Sequence, residues 1–390
     1  MPAIHAPLKV ALLADAVLSS LDRGATGRPD GSAASWLPSC AEALTNREDL
    51  EITWISLVRG LSLRRESSRG RHRFIELPAF PVSVDTWLGY RVARRKLLTE
   101  IRVAAPDLVH VWGSESPYPS VLGFLSCPAV LSLNGVLATL NELNLLPTGR
   151  WWQRQAAFER VWLKQADAIL VESEWTQKEV RSRLGEAKTF LAPYGVHPSF
   201  YGLEPSPDLE TPYLLFAGTL SQGKGLDLLL DALELLSDRR WVCRIAGDGP
   251  LRATLISRRI PGVEWLGSLA WPEYQEVLRR ASCLVLPTRA DSHPNVVKEA
   301  RVVGLPIITT RQGGQADYLI EGENALLLDH PDAASLARAM DAWMRDPQLL
   351  RATGEKGHRE DRRRFESSAT AAAFAGAYHA VAHLAGSKSN

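Results

Sequence analysis

The 390-residue chain has little cysteine and little methionine, four and three residues respectively. Cys40, Cys127, Cys243 and Cys283 lie far apart with no CxxC pair, which excludes the usual spacing of a zinc site or a disulfide framework. They read as small buried hydrophobes in a reducing compartment. No sign of charge dominates: 45 Lys and Arg against 44 Asp and Glu leave a net charge of +1. Bulk charge therefore gives no pull toward nucleic acid, and any contact with a polyanion has to be local. No apolar run is long enough to span a bilayer, and the opening MPAIHAPLKVALLAD lacks the charged start and the cleavage site of a signal peptide. That stretch is expected to be the first strand of a cytoplasmic protein. An Asp-x-Asp pair and the GKT or GKS ending of a Walker loop are also missing.

What is present is ordinary in bulk and specific in place. A content of 45% hydrophobic and 23% charged residues is that of a globular protein, and the length fits two domains. Short apolar runs alternate with helical stretches from Leu8 to Arg345, the pattern of an α/β protein with parallel sheets. The most informative segment is Pro287 to Pro306, PTRADSHPNVVKEARVVGLP. Ser282 to Leu286 before it reads as a buried strand. Asn295 to Val303 reads as a helix with Val296, Ala300 and Val303 on one side, stopped by Gly304-Leu305-Pro306. A loop leaving the carboxyl end of a parallel strand is where open α/β sheets take ligands. The first helical turn offers the amides of Asn295, Val296 and Val297 to a phosphate. Asp291 and Glu299 bracket those amides, and carboxylates suit sugar hydroxyls. The alternative is that Asp291 caps the loop and Glu299 is a solvated helix acid.

Asp291-x7-Glu299, followed by Ala300 and Gly304-Leu305-Pro306, resembles the acid-x7-acid signature of the retaining family 4 glycosyltransferases. The resemblance implies a GT-B fold: two Rossmann-like, doubly wound domains facing a central cleft, with a C-terminal helix crossing back to the N-terminal domain. With the proline-rich stretch Tyr201 to Pro212 as linker, an acceptor-binding domain is expected over 1–201, a nucleotide-sugar domain over 202–365 and the crossover helix over 366–390. The resemblance further assigns Lys224, in the glycine-rich loop Gly218 to Gly225, to the donor phosphates. Glu299 goes to the ribose, Asp291 to the donor sugar, and the amides at Asn295 and Val296 to the diphosphate. Gly249 and Leu266 are expected near the nucleotide base, and Gly313-Gly314 and Asp317 beside the donor sugar. The family pattern is not kept everywhere. Asp291 stands where Glu is usual, and Thr219 where Arg is usual, which leaves Arg289 as the nearest replacement cation. Gly31-Ser32 stands for a Gly-Gly pair. Asn134-Gly135 stands for His-Gly, so Asn134 is expected to position donor or acceptor, or simply to form a turn.

The activity implied is metal-independent, retaining hexosyl transfer from a UDP- or GDP-linked sugar to a hydroxyl of a glycan, lipid-linked oligosaccharide or small aglycone, as in cell-surface polysaccharide biosynthesis. No cofactor is implied, the nucleotide sugar being a co-substrate. Asp291, Glu299, Lys224 and Asn134 form the catalytic set, with no metal ligand. The three substitutions at Asp291, Thr219 and Asn134 give weight to a second reading, a degenerate GT-B partner subunit. An NAD-dependent oxidoreductase is disfavoured, because Arg252 stands where the third glycine of a dinucleotide fingerprint belongs. The N-terminal half carries Arg59, Arg64, Arg65, Arg69, Arg71 and Arg73, opposed only by Glu66. This run reads as a solvated mobile loop, or as a patch for an anionic acceptor or membrane surface. A second cluster, Arg91, Arg94, Arg95 and Lys96, falls on a helix expected from Thr86 to Val103. The two together add peripheral contact with the inner face of a membrane to the expectations. Trp151, Trp152, Phe158 and Trp162 on a later helix read as core or as a wall of the acceptor cleft.

Overall fold

A computed structural model describes residues 6–15, 36–147 and 149–387. Gly31, expected near the donor, lies outside the described residues. The chain divides into two compact units, one holding Leu37–Tyr194 with the first strand and the chain from Ser368 on, the other Gly195–Ser367.

The first unit runs β1 (Leu8–Leu13), α1 (Trp36–Thr45), β2 (Leu50–Val58), β3 (Arg65–Arg69), β4 (His72–Pro78), α2 (Val82–Trp87), α3 (Arg91–Ala104), β5 (Leu108–Trp112), β6 (Ala129–Ser132), α4 (Leu137–Glu142), α5 (Arg150–Gln165), β7 (Ala168–Val171), α6 (Glu174–Leu184) and β8 (Thr189–Leu191). Its sheet has the order β3-β4-β2-β1-β5-β6-β7-β8. All pairs are parallel except β3 with β4. The central strands are buried throughout, as strands covered on both faces must be. Trp162 and Phe158 stack in this core, so the core reading of that aromatic cluster holds for them.

Two expectations give way here. The arginine run is a loop only in part: Arg65, Arg69 and Arg73 lie on a hairpin whose edge strand is β3 and whose other arm, β4, bears buried Phe74 and Ile75 and pairs with β2. Arg64 reaches Glu100 at 2.8 Å and Glu66 at 2.7 Å, and Arg73 reaches Glu66 at 2.6 Å. Glu100 is distant in sequence, so the pairing was invisible there. Charged side chains on an exposed edge also discourage further strand pairing. The helix expected from Thr86 to Val103 is two, α2 and α3, separated at Gly89 and at Tyr90, whose backbone is left-handed (φ 59). Asp85, buried, accepts from the amides of Val92 and Ala93, each at 3.1 Å, which satisfies donors that a helix start leaves open.

The second unit runs β9 (Tyr213–Ala217), α7 (Leu226–Glu234), β10 (Val242–Ala246), α8 (Arg252–Ile256), β11 (Val263–Gly267), α9 (Trp271–Arg279), β12 (Cys283–Leu286), α10 (Asn295–Val303), β13 (Ile307–Thr310), β14 (Leu326–Leu328), α11 (Ala333–Met344), α12 (Pro347–Glu355) and α13 (His358–Arg364). The sheet order is β11-β10-β9-β12-β13-β14, parallel throughout. Strand order reverses between β9 and β12, the switch point at which a crevice opens. The unit begins at Gly195, before the proline-rich stretch, because Val196 and Phe200 already lie in its core. The stretch itself is sewn down: the amides of Ser206 and Asp208 donate to the carbonyls of Arg279 and Arg280 at 2.8 and 3.0 Å. Arg301, fully buried on α10, donates to Asp361 at 2.7 Å and to the Lys356 carbonyl at 2.6 Å, fixing α10 to the segment that carries α13.

The last helix, α14 (Ser367–Ser387), belongs to the first unit from Ser368 on. There Phe374 and Tyr378 pack on His110 and Trp112. No helix of the described residues is long and apolar enough to cross a membrane.

Candidate functional site

Three loops leave the carboxyl ends of β9, β10 and β12 and press together in the second unit. Gly225 (φ 72) opens α7 so close to the next loop that an added Cβ would sit 1.9 Å from the Pro287 carbonyl oxygen. Gly247 (φ 131) likewise leaves 2.0 Å to the Gly218 carbonyl. Only glycine fits both the space and the backbone at these positions. The loops are also bonded to one another: Thr288 Oγ1 and the Arg289 amide donate to the Gly223 carbonyl at 2.8 and 2.9 Å. The Leu220 amide donates to the Asp248 carbonyl at 3.1 Å. The result is a firm-walled cleft of about 620 Å³.

Of the residues singled out by sequence, Gly218, Thr219, Lys224, Asn295, Val296 and Glu299 line this cleft. Asn295 and Val296 open α10, and their amides have no acceptor inside the helix. Val297, grouped with them from sequence, differs: its amide donates to the Pro294 carbonyl at 3.1 Å. Glu299 is not the solvated acid of the alternative reading, being 5% exposed. It accepts a hydrogen bond from the Tyr274 phenol at 2.6 Å. Burial first, then the Glu299 charge, pushes that phenol well above its ordinary range, so it remains a donor. Lys224 forms an ion pair with Asp291. Asp291 in turn pairs its backbone with Gly313 and accepts from the Gly314 amide at 2.9 Å, so the Gly313-Gly314 turn lies beside it. Asp317 ends the short helical turn that follows.

Other assignments fall outside the cleft lining. Arg289, named as replacement for the missing arginine, is held by Asp227 at 2.7 and 3.0 Å and by the Gln222 carbonyl. Gly249 packs under Leu220, and Leu266 packs against the core. Asp248, Ser268, Leu269, Trp271 and Tyr274 line the cleft and were not singled out. The signal for the last two was available: aromatics three apart share one face of an amphipathic helix. Trp271 sits edge-on to Phe200, which buries it.

Asn134 belongs to the first unit and sits after β6. Its amide donates to Glu115 Oε1 at 2.7 Å, and its oxygen accepts from the Tyr194 hydroxyl at 3.1 Å. Burial raises the Glu115 pKa against the lowering effect of Asn134. Glu159, fully buried on α5, is bonded by Ser114 and, at 3.1 Å, by the Ala138 amide. Burial lifts its carboxyl to about 7. His110, also fully buried, lies 2.6 Å from both the Tyr378 hydroxyl and Ser132 Oγ, and burial depresses it to about 3.

Residues 39–200 match the model of Glycosyltransferase Family 4, and residues 211–346 match that of Glycosyl transferases group 1. The chain belongs to glycosyltransferase family 4. An uncharacterized glycosyltransferase of Methanocaldococcus jannaschii is 25% identical over 60% of this chain and 63% of that protein. The family 4 chain thus covers less than two thirds of that relative's length. Among solved structures, sucrose-phosphate synthase of Thermosynechococcus elongatus superposes with a TM-score of 0.76 at 17% identity, over 95% of this chain and 98% of that one. HepE of Anabaena, in complex with UDP and glucose, does so with a TM-score of 0.69 at 15% identity, over 95% and 99%. The fold of the family 4 chain is GT-B.

Proposed function

We propose that the chain is a retaining, metal-independent glycosyltransferase that moves a sugar from a nucleoside diphosphate sugar to a hydroxyl of a glycan, glycolipid or small aglycone. One observation carries the reading: at the β9/β12 switch point a lysine, the open amides of a helix start and a buried carboxylate converge on one cleft. Lys224 and the amides of Asn295 and Val296 hold the diphosphate, where cation and helix start both favour negative charge. Glu299, oriented by Tyr274, accepts from the ribose hydroxyls. Asp291 accepts from the donor sugar, and its ion pair with Lys224 gives way to phosphate as the donor enters. Asn134 hydrogen bonds a sugar hydroxyl.

In the reaction the bond from the anomeric carbon to the diphosphate oxygen breaks with its electron pair on that oxygen. The acceptor oxygen bonds the anomeric carbon on the same face, and its proton passes to the departing diphosphate. The cleft groups act on the charge developing there, a role for preorganised donors. HepE, solved with UDP and glucose, lends a uridine donor weight. On this reading the chain works in the cytoplasm, with its donor.

The test is transfer from UDP-glucose and from GDP-mannose to simple glycoside acceptors in the presence of EDTA, with the anomeric configuration of the product read by NMR. An α-linked product formed under EDTA is expected. A β-linked product would overturn retention, and activity that EDTA removes and magnesium restores would overturn metal independence.

A further inference from the structure

The surface of the first unit around α2 has no role in the reading above. Trp87 is 73% exposed, Val84 45% and Phe80 38%, and Val84 and Trp87, three apart on α2, share its outer face. The only acid of α2, Asp85, is turned inward to the start of α3. The first turn of α5 abuts α2, because Trp151 Nε1 donates to Thr86 Oγ1 at 3.1 Å and Arg154 donates to the Trp87 carbonyl at 3.2 Å. The next helix, α3, exposes Arg91, Arg95 and Arg102. Its one carboxylate, Glu100, is buried and held by Arg64, so the outer face of α3 is cationic along its length. The sequence pointed to arginines at 59–73 as well, but Arg64 and Arg73 are neutralised by Glu66 and Glu100.

An exposed tryptophan with apolar neighbours, bordered by a stripe of arginines and with no exposed acid on α2 or α3, has the composition of an interfacial membrane contact: the ring enters the headgroup boundary while guanidiniums meet anionic phosphates. We propose that α2 and the outer face of α3 dock this chain on an anionic lipid bilayer. The contact is peripheral, with the apolar residues of α2 inserted and Arg91 and Arg95 at the headgroups.

Co-sedimentation of the full chain with phosphatidylcholine vesicles, with and without phosphatidylglycerol, tests this. Binding is expected only with phosphatidylglycerol, and it weakens as salt rises. The double variant Arg91→Gln, Arg95→Gln lowers partitioning about thirtyfold, at the usual contribution of each cation near an anionic surface. The double variant Val84→Ser, Trp87→Ser lowers it about tenfold. These side chains are exposed, so both variants keep the wild-type melting temperature. Equal binding to the two vesicle types, or unchanged binding by the variants, overturns the proposal. A dimer in sedimentation velocity that Trp87→Ser dissolves would also overturn it, assigning the patch to a second copy of the chain.

Discussion

In the core of the first unit His110 and Glu159 are taken up by polar partners, whereas at the carboxyl end of the second unit's sheet polar groups converge on an open cleft. His110 is enclosed by Tyr378 and Ser132, and Glu159 by Ser114 and a backbone amide. In the second unit Lys224, Glu299 and the start of α10 face solvent-filled space. Two sheets of the same parallel design thus use buried polar groups differently. Closed sets respond to pH through stability, and the open set responds to ligands. This contrast can be attacked at both ends.

The largest effect is expected at His110. The folded chain keeps this imidazole neutral down to about pH 3, while the unfolded chain protonates it near its ordinary 6.5. Stability is therefore complete above pH 6.5 and falls as pH drops toward 3, by roughly 5 kcal/mol from this residue. His110→Gln should flatten that part of the urea-unfolding profile relative to wild type. If the two profiles run parallel, His110 is not a closed group.

Glu159 works in the opposite sense. Its carboxyl titrates at about 7 when folded against 4.5 when unfolded, so its contribution is full below pH 4.5 and is lost as pH rises to 7. The loss is roughly 3 kcal/mol. Glu159→Gln, which cannot titrate, should remove that decline, and a decline that persists would place its origin elsewhere.

In the cleft the expected change is in binding and turnover. Lys224→Ala should lower kcat/KM by about one to two orders of magnitude, the value of one charged hydrogen bond, with melting temperature preserved. Wild-type turnover would remove the phosphate role. Smallest is Tyr274→Phe, which deletes only the hydroxyl on Glu299. About fivefold weaker nucleotide binding is expected, together with poorer discrimination against a 2′-deoxy nucleotide. Loss of affinity without loss of discrimination would mean that Tyr274 does not act through Glu299.

Much of this site is local in sequence and for that reason legible. The run from β12 through α10 places Asn295, Val296 and Glu299 by helix geometry alone, and Gly218 to Lys224 follows from a strand entering a helix. What sequence left out depends on partners distant along the chain. Arg289 looked available until Asp227, on α7, was seen to hold it. Tyr274 acquires meaning only from Glu299, and Glu100 hides the charge of the β3–β4 hairpin. The break between α2 and α3 had one local signal, the left-handed Gly89, and one without a signature of its own, the left-handed Tyr90. The boundary at Gly195 was set by burial of Val196 and Phe200, whereas prolines had drawn attention further on.

The central claim is that the cleft of the second unit holds a nucleoside diphosphate. The most direct measurement is the melting temperature of the wild-type chain with UDP, GDP, ADP or NAD, in EDTA. A ligand at about a hundred times its Kd adds roughly 2.7 kcal/mol, so the account predicts a clear rise with one nucleoside diphosphate and none with NAD. No rise with any nucleoside diphosphate, or a rise with NAD alone, would contradict it.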